Sequence, residues 1–159
     1  MDKRKERKAA RIAIATRDVY RYGEKIVNTD IFRRAMYQTH HRKTTVGDHS
    51  APVAEMSLRL SRRMPIIGAD ERTLVLAALT HDLGIVGRYE KYPNELVTYF
   101  RHPGDSAKIA MELLPDMNKK FYRTISRHMF PLTILPPTSR EGIIISLADK
   151  FVAIKERFA

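Results

Sequence analysis

Apolar positions recur along this chain with helical spacing almost throughout, and no stretch alternates convincingly as a half-buried strand would. The pattern predicts a basic helix over residues 4–22, with Ile12 and Val19 on a weak apolar side and Gly23 ending it. Asn28 and Thr29 offer N-caps for a second helix, marked by Ile31, Phe32, Ala35 and Met36. After a polar loop over residues 42–48, a third helix over residues 49–63 turns Val53, Met56 and Leu60 inward. Four residues before Val53 stands His49, on the same face. Pro52 is expected in that helix's first turn, where its missing N–H is harmless. Asp70 caps a fourth helix that carries Leu74, Ala77, Ala78 and His81 on one side.

The pattern loosens around Gly84 and Gly87, and a short helical piece follows over residues 93–100. His102-Pro103-Gly104-Asp105-Ser106 reads as the opening of a new helix, capped by Asp105 or Ser106, with His102 just outside it. The next helix, over residues 116–129, puts Phe121, Ile125 and His128 on one face. Pro131, Pro136 and Pro137 impose an extended loop. Thr138-Ser139-Arg140-Glu141 is a capping-box pattern for the last helix, which is apolar nearly all round and is therefore expected to be the most buried. Asp149 sits in its middle, with Gly142, Ser146 and Ala153 as small residues on the same side. These elements predict an all-α, compact single-domain helical bundle, with basic helices over residues 1–39 packed on a core of residues 40–159.

Composition narrows the chemistry. The 159 residues fit one domain, and 43% hydrophobic content suffices for a core. Cysteine is absent, so a metal would have to be held by imidazole and carboxylate. The apolar runs are too short to span a bilayer, and no hydrophobic signal region follows the charged start, so a cytoplasmic protein is expected. Of the net charge of +11, residues 1–43 supply +8, with 13 Lys/Arg against 5 Asp/Glu. Such an arm suits nucleic acid, an anionic membrane surface or a phosphorylated ligand. It also suits a merely solvated helix.

Asp149 is the residue that most needs an explanation, because an ionised carboxylate in an apolar helix costs several kcal/mol unless it is paired, neutralised or bound to a cation. A salt bridge would answer for it alone. His49, His81, Asp82, His102 and His128, however, stand in comparable settings on separate helices. In a bundle such positions converge between the helices, where metal sites are built. Six donors exceed one tetrahedral site, which implies either one metal with open positions or two metals sharing a carboxylate.

The order His49, then His81-Asp82, then Asp149 resembles the HD superfamily of metal-dependent phosphohydrolases, named for the adjacent pair. The likeness spans residues 40–155. It is carried by Val46-Gly47-Asp48-His49-Ser50, Leu79-Thr80-His81-Asp82-Leu83-Gly84 and Ser146-Leu147-Ala148-Asp149-Lys150. The resemblance implies a first metal on His49, His81, Asp82 and Asp149, and a second on His102 and His128 with Asp82 bridging. Iron, manganese, cobalt, nickel and zinc are the implied ions. The pattern is similar to that of the symmetrical diadenosine tetraphosphate hydrolases and the two-iron phosphodiesterases. Asp82 is followed by Leu83-Gly84-Ile85-Val86, not by the acidic pair of guanosine tetraphosphate hydrolases. No Gly-Tyr-Pro follows, and Met129 replaces the second of two adjacent histidines in cyclic-dinucleotide phosphodiesterases. Both of those activities are disfavoured.

The implied reaction is hydrolysis of a phosphate ester or anhydride in a nucleotide-like substrate by metal-activated water, with Asp82, Lys150 and His41 as catalytic candidates. Lys150 and Arg127 each adjoin a candidate ligand, and adjacent helix positions point about 100° apart, so either could meet phosphate. His41 and Lys43 would form a polar rim, with His41 able to protonate a leaving group. Their bland counterparts are surface charge and a solvated loop. His40 is read as surface, and Asp48 and Asp105 as helix caps. The alternative of another class is a metal-stabilised nucleotide-binding or RNA-associated regulatory module without catalysis. Oligomeric state is not legible.

Overall fold

The computed structural model describes residues 2–41 and 43–159, so Arg42 of the polar loop lies outside the described residues. Among these, eight α-helices follow in order: α1 (Lys3–Val27), α2 (Asp30–Ala35), α3 (Val46–Arg63), α4 (Glu71–Thr80), α5 (Arg88–Lys91), α6 (Glu95–Leu113), α7 (Lys119–Ser126) and α8 (Arg140–Arg157). The domain is all-α apart from a small antiparallel ribbon, β1 (Thr39–His41) with β2 (Thr44–Thr45), which the hydrophobic pattern does not announce. Capping explains the helix starts. Asp2, Thr29, Thr45, Asp70, Asn94, Asn118 and Ser139 each accept a backbone N–H from the first turn of the helix they precede.

The centre is α4, not α8. Its residues from Leu74 to Thr80 are all buried, and α1, α3, α6, α7 and α8 surround it. In α8 the Asp149 side packs inward, while Ile143, Leu147, Phe151 and Ile154 are 51–60% exposed along the opposite stripe. An apolar residue on every side does not by itself reveal which side meets the core. Glu141 also departs from the capping box: it accepts the Asp70 backbone N–H at 2.9 Å and forms an ion pair with the Lys120 ammonium at 3.0 Å, tying the starts of α4, α7 and α8 together.

Three helices run further than their sequences suggest. Gly23 lies inside α1, where a side chain would meet Leu79 of α4 at 2.2 Å, so it serves close helix packing and not termination. Farther up, Asp18 and Glu71 both accept from the Arg62 guanidinium, at 2.6 and 2.7 Å, joining α1, α3 and α4. Helix α3 begins at Val46, capped by Thr45. Asp48 therefore sits in the first turn, not at the cap, and Pro52 lies inside the helix. Helix α6 is continuous through Pro103, which brings His102 and Asp105 within it. Asp105 accepts from the Tyr92 hydroxyl. The turn Leu83–Ile85 packs along α6 and supports this passage: the Gly84 N–H donates to Ser106 Oγ at 2.8 Å. A Cβ on Gly84 would come within 2.5 Å of the His102 carbonyl oxygen.

Candidate metal centre

Six segments deliver side chains to one point. β1 supplies His40, α3 His49, the end of α4 His81 and Asp82, the middle of α6 His102, the turn after α7 His128, and α8 Asp149. All seven are buried. Four of the imidazoles are held in the same way, by Nδ1. The His81, His102 and His128 Nδ1–H groups donate to the carbonyls of Ala78, Thr98 and Ile125 at 2.6, 2.9 and 2.7 Å. His49 Nδ1 meets the Glu156 carboxylate at 2.8 Å. A carbonyl only accepts, so the proton of each neutral ring is fixed on Nδ1 and the Nε2 lone pair points into the cluster.

The two oxygens of Asp82 divide the cluster. Oδ1 faces Nε2 of His102 and His128 at 3.1 and 3.4 Å, while Oδ2 lies 3.1 Å from His81 Nε2 and 3.8 Å from His49 Nε2. Asp149 Oδ1 completes the second side, 2.9 Å from His49 Nε2 and 3.5 Å from His81 Nε2. Among the described residues three sets of ligand atoms lie within 4.8 Å of one another: His49, His81, Asp82 and Asp149; Asp82, His102 and His128; and His40, His49 and Glu156.

The donor set fits a divalent transition ion. His81 Nε2 is buried with no aligned hydrogen bond among the described residues. His102 Nε2 and His128 Nε2 face each other at 3.4 Å, two lone pairs if both rings are neutral, which requires a proton or a cation between them. Burial alone would raise both carboxylates, but the surrounding imidazoles hold Asp82 and Asp149 well below the usual carboxylate range. Burial would likewise lower His49 and His81, yet Asp149 and Glu156 lift His49 to about 9, and Asp82 and Asp149 raise His81 well above its ordinary value. His128, with burial dominant, is pushed down. The carboxylates demand positive charge at this point, either as protons or as a metal ion.

The rim residues fall in different places. The Lys150 ammonium donates to the His128 carbonyl at 2.7 Å and lies 3.6 Å from Asp149 Oδ2; burial lowers its pKa. The His41 ring packs edge-on against His40, with centroids 3.8 Å apart. Although His41 keeps much of its surface in solvent, crowding and then the neighbouring His40 push its imidazole down to about 4. Lys43 is exposed in the ribbon turn, and Arg127 donates to the Pro136 carbonyl at 3.2 Å, bracing the proline loop. Side-chain exposure grows from 0% at His49 through 12% at Asp149 to 18% at Glu156 and 26% at Lys150, so the cluster meets solvent along this edge of α8.

Two contributors escape the sequence reading. His40, expected at the surface, is buried; its Nε2 lies 2.7 Å from Asp82 Oδ2, and its ring stacks on His49 with centroids 4.3 Å apart. The cause is the ribbon, which turns His40 inward between exposed Thr39 and His41. Glu156 lies seven residues after Asp149, two turns along the same helix face, and that spacing was the available signal.

In comparison with protein families, the family model described as HD domain matches residues 46–154 of the chain. No curated protein and no solved structure gives a match.

Proposed function

The chain belongs to the HD-domain family, a branch of the metal-dependent phosphohydrolases, and from that premise we propose that it hydrolyses a phosphate ester or anhydride of a nucleotide-like substrate. The observation that carries this reading is the common tether of His49, His81, His102 and His128 through Nδ1, which leaves four Nε2 atoms converging on Asp82 and Asp149. Such tethers orient imidazoles for metal ligation. His49, His81, Asp82 and Asp149 would hold one ion, and Asp82, His102 and His128 a second, of the Fe, Mn, Co, Ni or Zn class. Bound there, the ions supply Lewis acidity to water and to the phosphoryl oxygens.

The chain's own groups position and neutralise. Asp82 presents one oxygen to each set, with His40 Nε2 beside it. Lys150, at the open edge, is anchored to the His128 carbonyl and offers its remaining N–H donors to a phosphoryl oxygen. His41 is neutral in the free protein; an entering phosphate dianion would favour its protonated form, from which it can hand a proton to a leaving oxygen. Lys43, from the ribbon turn, and Arg127, beside the proline loop, would meet outlying phosphates.

Metal analysis of the purified protein, followed by hydrolysis assays on mononucleotides, cyclic dinucleotides and dinucleoside polyphosphates with Mn²⁺ or Fe²⁺, tests the proposal. Expected are bound transition metal and turnover that Asp82→Asn abolishes while the circular dichroism spectrum is kept. A protein without transition metal and without turnover on any of these substrates overturns it. Metal and nucleotide binding without turnover would assign the chain to the non-catalytic regulatory class.

A further inference from the structure

In its second half α1 is an amphipathic helix, with Ala15, Asp18, Val19, Gly23 and Ile26 buried. Continued backwards at spacings of three and four, the same side carries the partly buried Ile12 and then Arg11, Lys8, Arg7 and Arg4. Every residue from 2 to 11 is exposed. The helix therefore overhangs the body by roughly 13 Å, at 1.5 Å per residue, with cations where a packed helix would carry apolar residues. Beneath the overhang, Arg11 and Ile14 of α1 and Arg59, Arg62 and Arg63 of α3 line a cavity of about 360 Å³.

The charges in this cleft are unevenly answered. Arg59 is 3.4 Å from Glu55, and Arg62 is shared by Asp18 and Glu71. Arg11 and Arg63 have no ion-pair partner among the described residues, and the arm above adds Lys3, Arg4, Lys5, Arg7 and Lys8 against Asp2 and Glu6. An extended anion would answer this excess, and guanidinium forks match phosphate oxygens two at a time. The arm's only apolar residues are Ala9 and Ala10, so it has no face to sink into lipid. It also lacks aromatic rings on which splayed bases could stack, which argues against single strands.

We propose that the overhanging start of α1 and the arginine-lined cleft bind the phosphodiester backbone of a nucleic-acid duplex without reading its sequence. The site is independent of the hydrolase reading: along α3, Arg63 lies about 20 Å from His49 by helical rise. At an axial rise of about 3.4 Å per base pair, an arm of roughly 13 Å runs past several consecutive base pairs.

Fluorescence anisotropy of the full chain with a labelled mixed-sequence duplex of roughly 20 base pairs, at several salt concentrations, tests the proposal; log affinity should fall with log salt by about 0.9 per phosphate engaged. The pair Arg11→Glu/Arg63→Glu should weaken binding at least about tenfold at low salt, whereas Arg11→Lys/Arg63→Lys, with the charge kept, should retain most of it. Lys119→Glu/Arg123→Glu on α7 changes net charge equally and should leave binding near wild type. Thermal melts of each variant establish that it is folded. Absence of duplex binding at low salt, an equal loss in the α7 pair, or preferential binding to phosphatidylglycerol vesicles or an acidic peptide would overturn the assignment.

Discussion

Glu156 shows how one residue outside the ligand set can govern it. Its carboxylate holds His49 Nδ1 at 2.8 Å, whereas the other three tethered imidazoles rely on carbonyls that no side-chain substitution removes. Glu156→Gln keeps an acceptor oxygen but removes the charge that makes His49 a stronger donor to metal. A 10- to 100-fold loss of metal affinity, roughly, is expected, with little change in melting temperature, because Glu156 is partly open to solvent. Isothermal titration with Mn²⁺ measures it, and an unchanged affinity would assign Glu156 a purely structural contact. At this scale the sequence is informative about direction and poor about partners. Asp149 and His49 could be placed inward because helical spacing ties them to Ser146 or Val53. His40 could not, since a three-residue strand leaves no periodic trace, and its neighbours Thr39 and His41 are equally polar.

At the scale of elements, the turn Leu83–Ile85 fixes Asp82 against α6, and Gly84 is what permits the approach. A methyl group there would meet backbone atoms, the His102 oxygen at 2.5 Å and the Ser106 nitrogen at 2.8 Å, which cannot rotate aside. Gly84→Ala should therefore cost about 1–3 kcal/mol of stability, as overpacking does, read as a lower denaturant midpoint. It should also weaken metal binding, since Asp82 and His102 would be pushed apart. Gly23→Ala meets only the end of the Leu79 side chain and should be better tolerated. Helix identities were legible from periodicity and caps: Thr29 and Asp70 occupy the expected cap positions. Helix lengths were not. Pro103 reads as a break because proline lacks an N–H and disfavours helix in its predecessor, but packing of α6 against the Leu83–Ile85 turn overrides both local preferences.

For the whole molecule, the cluster couples stability to pH through charges of both signs. In metal-free protein, His49 rises from an ordinary 6.5 to about 9, so its contribution is fully present below pH 6.5 and is lost as pH climbs through about 9. Asp82 and Asp149 are depressed below 3.8, so theirs is present above that value and is lost as pH falls below it. Thermal melts of chelator-treated protein should accordingly be highest between about pH 4 and 6.5 and decline toward pH 9. A melting temperature that rises from pH 7 to 9.5 would contradict the tethered arrangement. His49 and Asp149 are 100 residues apart in sequence and 2.9 Å apart in space. A cation held by both would act as a cross-link, closing nearly two thirds of the chain into a single loop. By analogy with a disulfide, such closure removes denatured-state entropy worth roughly 4–5 kcal/mol. The same ion that equips the centre for chemistry would then also staple the chain, in a sequence with no cysteine to make a disulfide.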